Sequence, residues 1–315
     1  MHEISTLESP HDTGIAASAM RDAACVAKPH RRQSAAAFDL GPLREVDLDY
    51  EANERLLWCY MRPANALCFT PGMMRELNSV HEAIRDNGRS NPLDCPRYCV
   101  VGSRLPGVFN LGGDLAYLVA CIKARDKAAL TLYAYGCIDA IHACSTGFDS
   151  PVISIGLVQG TALGGGFESA ICFNVLIAER SVKMGFPEVL FGLFPGMGAY
   201  SFLSRKIGAI AAHKMIADGR MYGAGDLFDM GLIDILCADG EGEAAVRAYV
   251  ARTGRRHGQV LAMNRVRNRV NPIPYSELKD VTDIWVDTAM ALDASDLRRM
   301  QRLVSAQDRH GARAA

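Results

Sequence analysis

Two glutamates, Glu168 and Glu188, stand twenty residues apart in a window, Val158 to Gly198, that is rich in glycine and apolar side chains. Gly164, Gly165 and Gly166 precede the first acid at what reads as a strand-to-helix junction. Glycines there let a ligand approach the backbone. The first N–H groups of a helix lack intrahelical acceptors and favour negative charge. Glu168 falls in the first turn of that helix. Glu188 follows Gly185-Phe186-Pro187 and precedes Val189-Leu190-Phe191. A carboxyl in apolar surroundings resists ionising, as a general acid/base near neutral pH requires. A lone glutamate is more often a salt-bridged structural acid. Two of them beside a triple-glycine helix start point instead to proton transfer next to a stabilised oxyanion. A third piece, Phe109-Asn110-Leu111-Gly112-Gly113-Asp114-Leu115, also precedes a helix and can offer a free backbone N–H. By itself that run is no more than a turn and a cap.

The elements that position these residues read as α/β. The alternation of Val46 to Tyr50 and the apolar run Leu56 to Met61 suggest a hairpin. Thr70-Pro71 opens a helix, with Met74, Leu77, Val80, His81 and Ile84 on its buried stripe and Gly88 as its end. His81 on that stripe is expected to be packed rather than catalytic. Short buried strands are expected at Tyr98 to Val101, Val152 to Val158, Val175 to Ala178 and Leu232 to Cys237. Helices are expected at 114–125, 127–144 and 165–172. Beyond Glu241 the pattern is helical, broken at Asn271 to Pro274. The division that follows is a tail over 1–36, a core over 37–240 and a helical C-terminal subdomain over 241–315.

Composition narrows the function classes. The 315 residues are nearly half apolar with a net charge of −1, so no bulk attraction to nucleic acid is expected. No apolar run approaches the roughly 20 residues of a membrane-spanning helix, and the N-terminal residues lack the apolar stretch of a signal peptide. The ten cysteines sit mostly in apolar stretches, which reads as a reduced, cytoplasmic protein. Cys95 and Cys99 lack the partners of a zinc site; neither metal nor cofactor is expected. One asymmetry remains: Arg252, Arg255, Arg256, Arg265, Arg267 and Arg269 form a basic stretch, and Arg298, Arg299 and Arg302 a second group.

The pieces FNLGGDL, VQGTALGGGFE, GFPEVLFGLFPGMGA and MGLIDIL, in that order and spacing, resemble the crotonase (enoyl-CoA hydratase/isomerase) superfamily. The resemblance implies a spiral of strand-strand-helix repeats with a helical C-terminal subdomain. It implies that the N–H groups of Leu111 and Gly165 hold a thioester oxygen, and that Glu188 handles the C2 proton and Glu168 the water or hydroxyl. The runs PEVLFGLFPGMGAYSFLSRKIG, DIWVDTAMALD and LRRMQRLVSAQ are further similar to the diffusible-signal-factor synthases. These dehydrate a 3-hydroxyacyl thioester on acyl carrier protein and then hydrolyse it to a cis-2-unsaturated fatty acid. That likeness makes Met197 and Trp285, otherwise plain core packing, candidates for an acyl pocket, and implies an acyl carrier protein or coenzyme A thioester as substrate and a possible sensor-protein partner; the superfamily implies a trimer or pair of trimers. It also makes the basic stretch over 252–269 a candidate docking surface for an acidic carrier, against a solvated helix face or a surface gripping a coenzyme A phosphate. Two other readings share the fold: an enoyl-CoA hydratase of lipid metabolism, and a crotonase-fold protein acting mainly by binding a sensor domain.

Overall fold

The computed structural model describes residues 40–63 and 66–302; the expected N-terminal tail and the last residues of the C-terminal segment lie outside them. Two parallel-rich sheets are built together. In the larger, the strands β1 (Val46–Glu51), β2 (Leu56–Met61), β3 (Tyr98–Ser103), β5 (Ile153–Val158), β7 (Val175–Glu179) and β10 (Ile235–Cys237) lie in that order. The smaller sheet holds β4 (Val108–Asn110), β6 (Thr161–Leu163), β8 (Lys183–Gly185) and β9 (Met221–Gly223). Each pass of the chain adds one strand to each sheet: β3 then β4, β5 then β6, β7 then β8. This is the spiral of strand-strand-helix repeats. Only β1–β2 and β8–β9 pair antiparallel.

The helices are α1 (Pro71–Ser90), α2 (Leu115–Ala124), α3 (Lys127–Thr146), α4 (Gly165–Ile171), α5 (Ala199–Ile207), α6 (Ala209–Asp218) and α7 (Ala224–Asp229), followed by the C-terminal α8 (Gly242–Gly254), α9 (His257–Val270) and α10 (Tyr275–Met290). Thr70 caps α1 as expected, its side chain accepting from Met73 N at 3.0 Å. The helix runs two residues past Gly88, because that glycine is a packing site: a Cβ there would collide with the Ser150 side chain. His81 is buried, with its ring 5.0 Å from that of Phe148.

Alternation along β2 divides the core. Leu57, Cys59 and Met61 face α1, α3 and α4. Leu56, Trp58 and Tyr60 face α8 and α9, meeting Val246, Tyr249, Val250, Val260 and Leu261. A parallel sheet covered on both faces has strands apolar throughout, and β2 is buried at every position. Among the described residues nine cysteines are free thiols, eight of them buried. No helix among the described residues is long and apolar enough to cross a membrane.

Candidate active site

The ends of β4 and β6 lie side by side, so the loops that follow them meet. Gly112 has φ +94° and Gly164 φ +52°, conformations that side-chain-bearing residues rarely adopt. A Cβ on Gly112 would stand 3.0 Å from Gly165 N, and one on Gly165 would lie 3.6 Å from Gly113 N. The two strand-to-helix turns are therefore packed backbone to backbone.

The donors at this junction differ in part from those expected. Leu111 N–H is not available, because it donates to Leu67 O at 2.8 Å. Gly112 N–H donates to Asn110 Oδ1 at 2.8 Å. Gly113 N–H is the next donor along the loop, and no hydrogen bond from it occurs among the described residues. Gly165 is the first residue of α4, so its N–H has no acceptor within the helix. The free pair is thus Gly113 and Gly165. Leu111 corrects to Gly113, and keeps only a place in the cavity wall.

Glu168, in the first turn of α4, is 1% exposed. Its Oε1 accepts from Met197 N at 2.8 Å and Ala199 N at 2.9 Å. Burial raises its pKa to about 7, against the lowering effect of these N–H groups. Glu188 lies in a single 3-10 turn, Pro187–Phe191. Its Oε1 packs on the Cα of Gly164, where a side chain would leave no room for it. Its Oε2 is cut off from solvent and has no partner among the described residues. Burial first, and then the charge of Glu168, raise its pKa to about 8. The titration of Glu188 therefore depends on whether Glu168 is charged.

Both acids, Gly113 and Gly165 line one cavity of about 500 Å³. Its walls are mainly apolar: Leu115 and Leu118 of α2, Tyr133 and Ala134 of α3, Phe191, Leu193, Met197 and Trp285. Both residues expected at the acyl pocket are therefore at the cavity. α10 carries Trp285 there by docking on the turn that precedes α5. Thr282 Oγ1 donates to Gly196 O at 3.0 Å, and the Trp285 ring covers the Cα of Gly196. That same turn supplies the N–H groups that hold Glu168.

The arrangement can polarise a carbonyl oxygen with two N–H groups while two carboxyls move protons beside it. The enoyl-CoA hydratase/isomerase family profile matches residues 60–267, about two thirds of the chain. The chain belongs to the enoyl-CoA hydratase/isomerase family. It is 25% identical over 252 residues to the probable mitochondrial enoyl-CoA hydratase 2 of Arabidopsis thaliana, covering 79% of this chain and 74% of that protein. Its fold is that of an enoyl-CoA hydratase from Bacillus halodurans, with TM-score 0.69, 20% identity, and 82% of this chain and 100% of that one covered. It is also similar in fold to DspI of Pseudomonas aeruginosa, with TM-score 0.63, 22% identity, and 79% and 96% of the two chains covered.

Among the described residues no group of three or more His, Cys, Asp or Glu side chains could hold a metal ion. The basic residues over 252–269 are exposed, yet they sit on α8, on α9 and between them. Those helices cover the sheet face opposite α4, so the stretch does not border the cavity. The 298–302 group does lie on the cavity side. Leu292, Leu297 and Met300 pack with Phe191, Leu193 and Trp285.

Proposed function

We propose that the protein removes water from a 3-hydroxyacyl thioester across C2–C3 and then hydrolyses the thioester, releasing a cis-2-unsaturated fatty acid signal. The observation that carries the reading is the meeting, in one apolar cavity, of two carboxyls raised to about 7 and 8 with two unpaired glycine N–H groups. Removing the C2 proton moves charge onto the thioester oxygen, where Gly113 and Gly165 donate. Such donors typically contribute about 10²–10³ in rate each. In this reading Glu188, which lines the cavity, takes the C2 proton in its ionised form. Glu168, held by Met197 and Ala199, delivers a proton to the leaving hydroxyl. After dehydration a carboxylate activates water against the same carbonyl. The release step and the carrier-protein substrate rest on the resemblance of the PEVLFGLFPGMGAYSF and DIWVDTAM runs to the signal synthases.

The second reading, reversible hydration of an enoyl-CoA without release of acid, is supported by the name of the Arabidopsis relative. Incubating the protein with one 3-hydroxyacyl chain on acyl carrier protein and on coenzyme A, with mass spectrometry of the products, separates the two. The synthase reading expects free unsaturated acid, faster from the carrier protein. Enoyl thioester that accumulates without free acid would leave the hydratase.

A further inference from the structure

Next to the cavity lies a second, smaller space of about 30 Å³ that shares two walls with it, Met197 and Cys137. The remaining walls come from α1, α3, α4 and the sheet, and are mainly apolar: Met74, Leu77, Ala140 and Phe173 among them. At its far end stands His81, which also borders a polar cleft of about 310 Å³ lined by Asn78, Glu82, Arg85, Asp139, His142 and Tyr275. The three spaces thus form a series, with Met197 and Cys137 as the first partition and His81 as the second.

We infer that Met197 and Cys137 form a yielding partition through which the end of the acyl chain enters the rear chamber, and that His81 closes that chamber and fixes the longest chain accepted. The inference rests on the acyl-thioester reading above and adds what measures the acyl group. Met197 borders the cavity beside Gly165, whose N–H is one of the two donors. Met197 N–H holds Glu168, and a Cβ on Gly165 would stand 2.7 Å from Met197 Sδ. An unbranched thioether has three rotatable bonds and repacks readily, and Cys137 is a buried thiol that behaves as a small hydrophobe. A mainly apolar chamber favours an alkyl end over ordered water. The far wall differs in kind. Behind His81 the lining carries Glu82, Arg85 and Asp139, so a chain pushed further meets charged groups it cannot satisfy. Burial and the nearby Arg85 hold His81 neutral, with its pKa lowered to about 3, so the wall facing the chain carries no charge.

The test uses the full-length protein and a ladder of straight-chain 3-hydroxyacyl pantetheine thioesters. Ala140→Leu fills the chamber and Leu77→Ala enlarges it; neither residue belongs to the acid pair or the N–H donors. Each buried methylene contributes about fourfold in apparent affinity. Ala140→Leu is therefore expected to cut kcat/KM about tenfold or more for the longest accepted chains and less than about twofold for the shortest. Leu77→Ala is expected to move the optimum to longer chains. Wild-type protein photolysed with a non-hydrolysable acyl thioether bearing a terminal diazirine gives a readout independent of variant folding. Crosslinks are expected at Met74, Leu77 or Ala140. Crosslinks confined to Leu118, Phe191 and Trp285, or a chain-length profile unchanged in both variants, would overturn the chamber while leaving the thioester reading intact. No turnover of any thioester by wild-type protein would overturn both.

Discussion

Glu168 and Glu188 differ in how they are held, and this decides what each substitution does. Glu168 accepts two backbone N–H groups through one oxygen, contacts an amide oxygen can keep. Glu188 has no bond to Oε2 among the described residues. Glu168→Gln and Glu188→Gln should therefore fold and each lose about 10²–10⁴ in kcat, the usual value of positioned proton transfer; turnover and thermal melts on the same samples check this. The two titrations also shape the pH profile. The roles above need Glu188 charged and Glu168 neutral, the less populated of the two singly protonated forms when the values are about 8 and about 7, so kcat/KM should be bell-shaped with limbs near those two values. Stability follows with a definite sign. Glu188 ionises at 4.5 in its ordinary state and near 8 in the fold, so the folded chain keeps a proton that the unfolded chain has lost. That contribution is whole below the ordinary value and is lost as pH rises toward the folded one. Glu188→Gln removes the burden of a buried charge. Its melting temperature relative to wild type should therefore climb between about pH 5 and about pH 9, by the equivalent of on the order of 4 kcal/mol. A constant difference across that range would mean Glu188 is not held protonated.

At the scale of elements the site depends on two glycine turns, and Gly165 offers a clean cut between fold and chemistry. It is the first residue of α4, a position where proline is tolerated because the N–H has no helical acceptor. Gly165→Pro should keep the helix once the Met197 thioether gives way, and remove one oxyanion donor. The expected result is an unchanged far-ultraviolet circular dichroism spectrum with kcat lower by about 10²–10³; near-normal turnover would show that Gly165 N–H does not face the reacting oxygen. The same turns mark where sequence reading ran out. β1, β2, α1 and α3 were legible because long elements carry a period and caps such as Thr70 carry chemistry. β4, β6, β8 and β9 each have three residues, too few for alternation to register. They exist because neighbouring passes of the spiral pair with them. The free donor of the first loop escapes the sequence for a related reason. Which N–H in the loop is free depends on Leu67, forty-four positions before Leu111, accepting from Leu111, while Asn110 accepts from Gly112. No local pattern reports the bond to Leu67. Glu168, Glu188, Met197 and Trp285 were accessible as positions in the sequence. Their convergence depended on α10 seating on Gly196 through Thr282.

Across the whole molecule the two basic groups are separated by the large sheet, and this changes where an acidic carrier would dock. Arg255, Arg256 and Arg265 are exposed on the side of α8 and α9, behind the face that holds the acids. Residues 294–302 are helical and pack through Leu297 and Met300 on the cavity wall with Phe191 and Leu193. Asp296 of this segment lies against Gly192. Arg298, Arg299 and Arg302 are exposed there, although Arg299 is partly neutralised by Asp296 at 3.0 Å. Exposed charges steer an oppositely charged partner over about a Debye length, about 10 Å at 0.1 M salt. A carrier must hold its thioester at the cavity mouth, so only charges on that side act on the productive encounter. Arg298→Glu with Arg302→Glu is expected to raise KM for a carrier-linked substrate several-fold, about 3–10-fold at low salt, with kcat unchanged. Added salt should narrow the difference, and a pantetheine-linked substrate, lacking the acidic carrier, should be turned over equally by both proteins. Arg255→Glu with Arg265→Glu should behave as wild type in all three measurements. If the second pair alone raised KM, the carrier would reach the cavity from the α8–α9 side, which one chain does not permit, and the docking surface would have to include another copy.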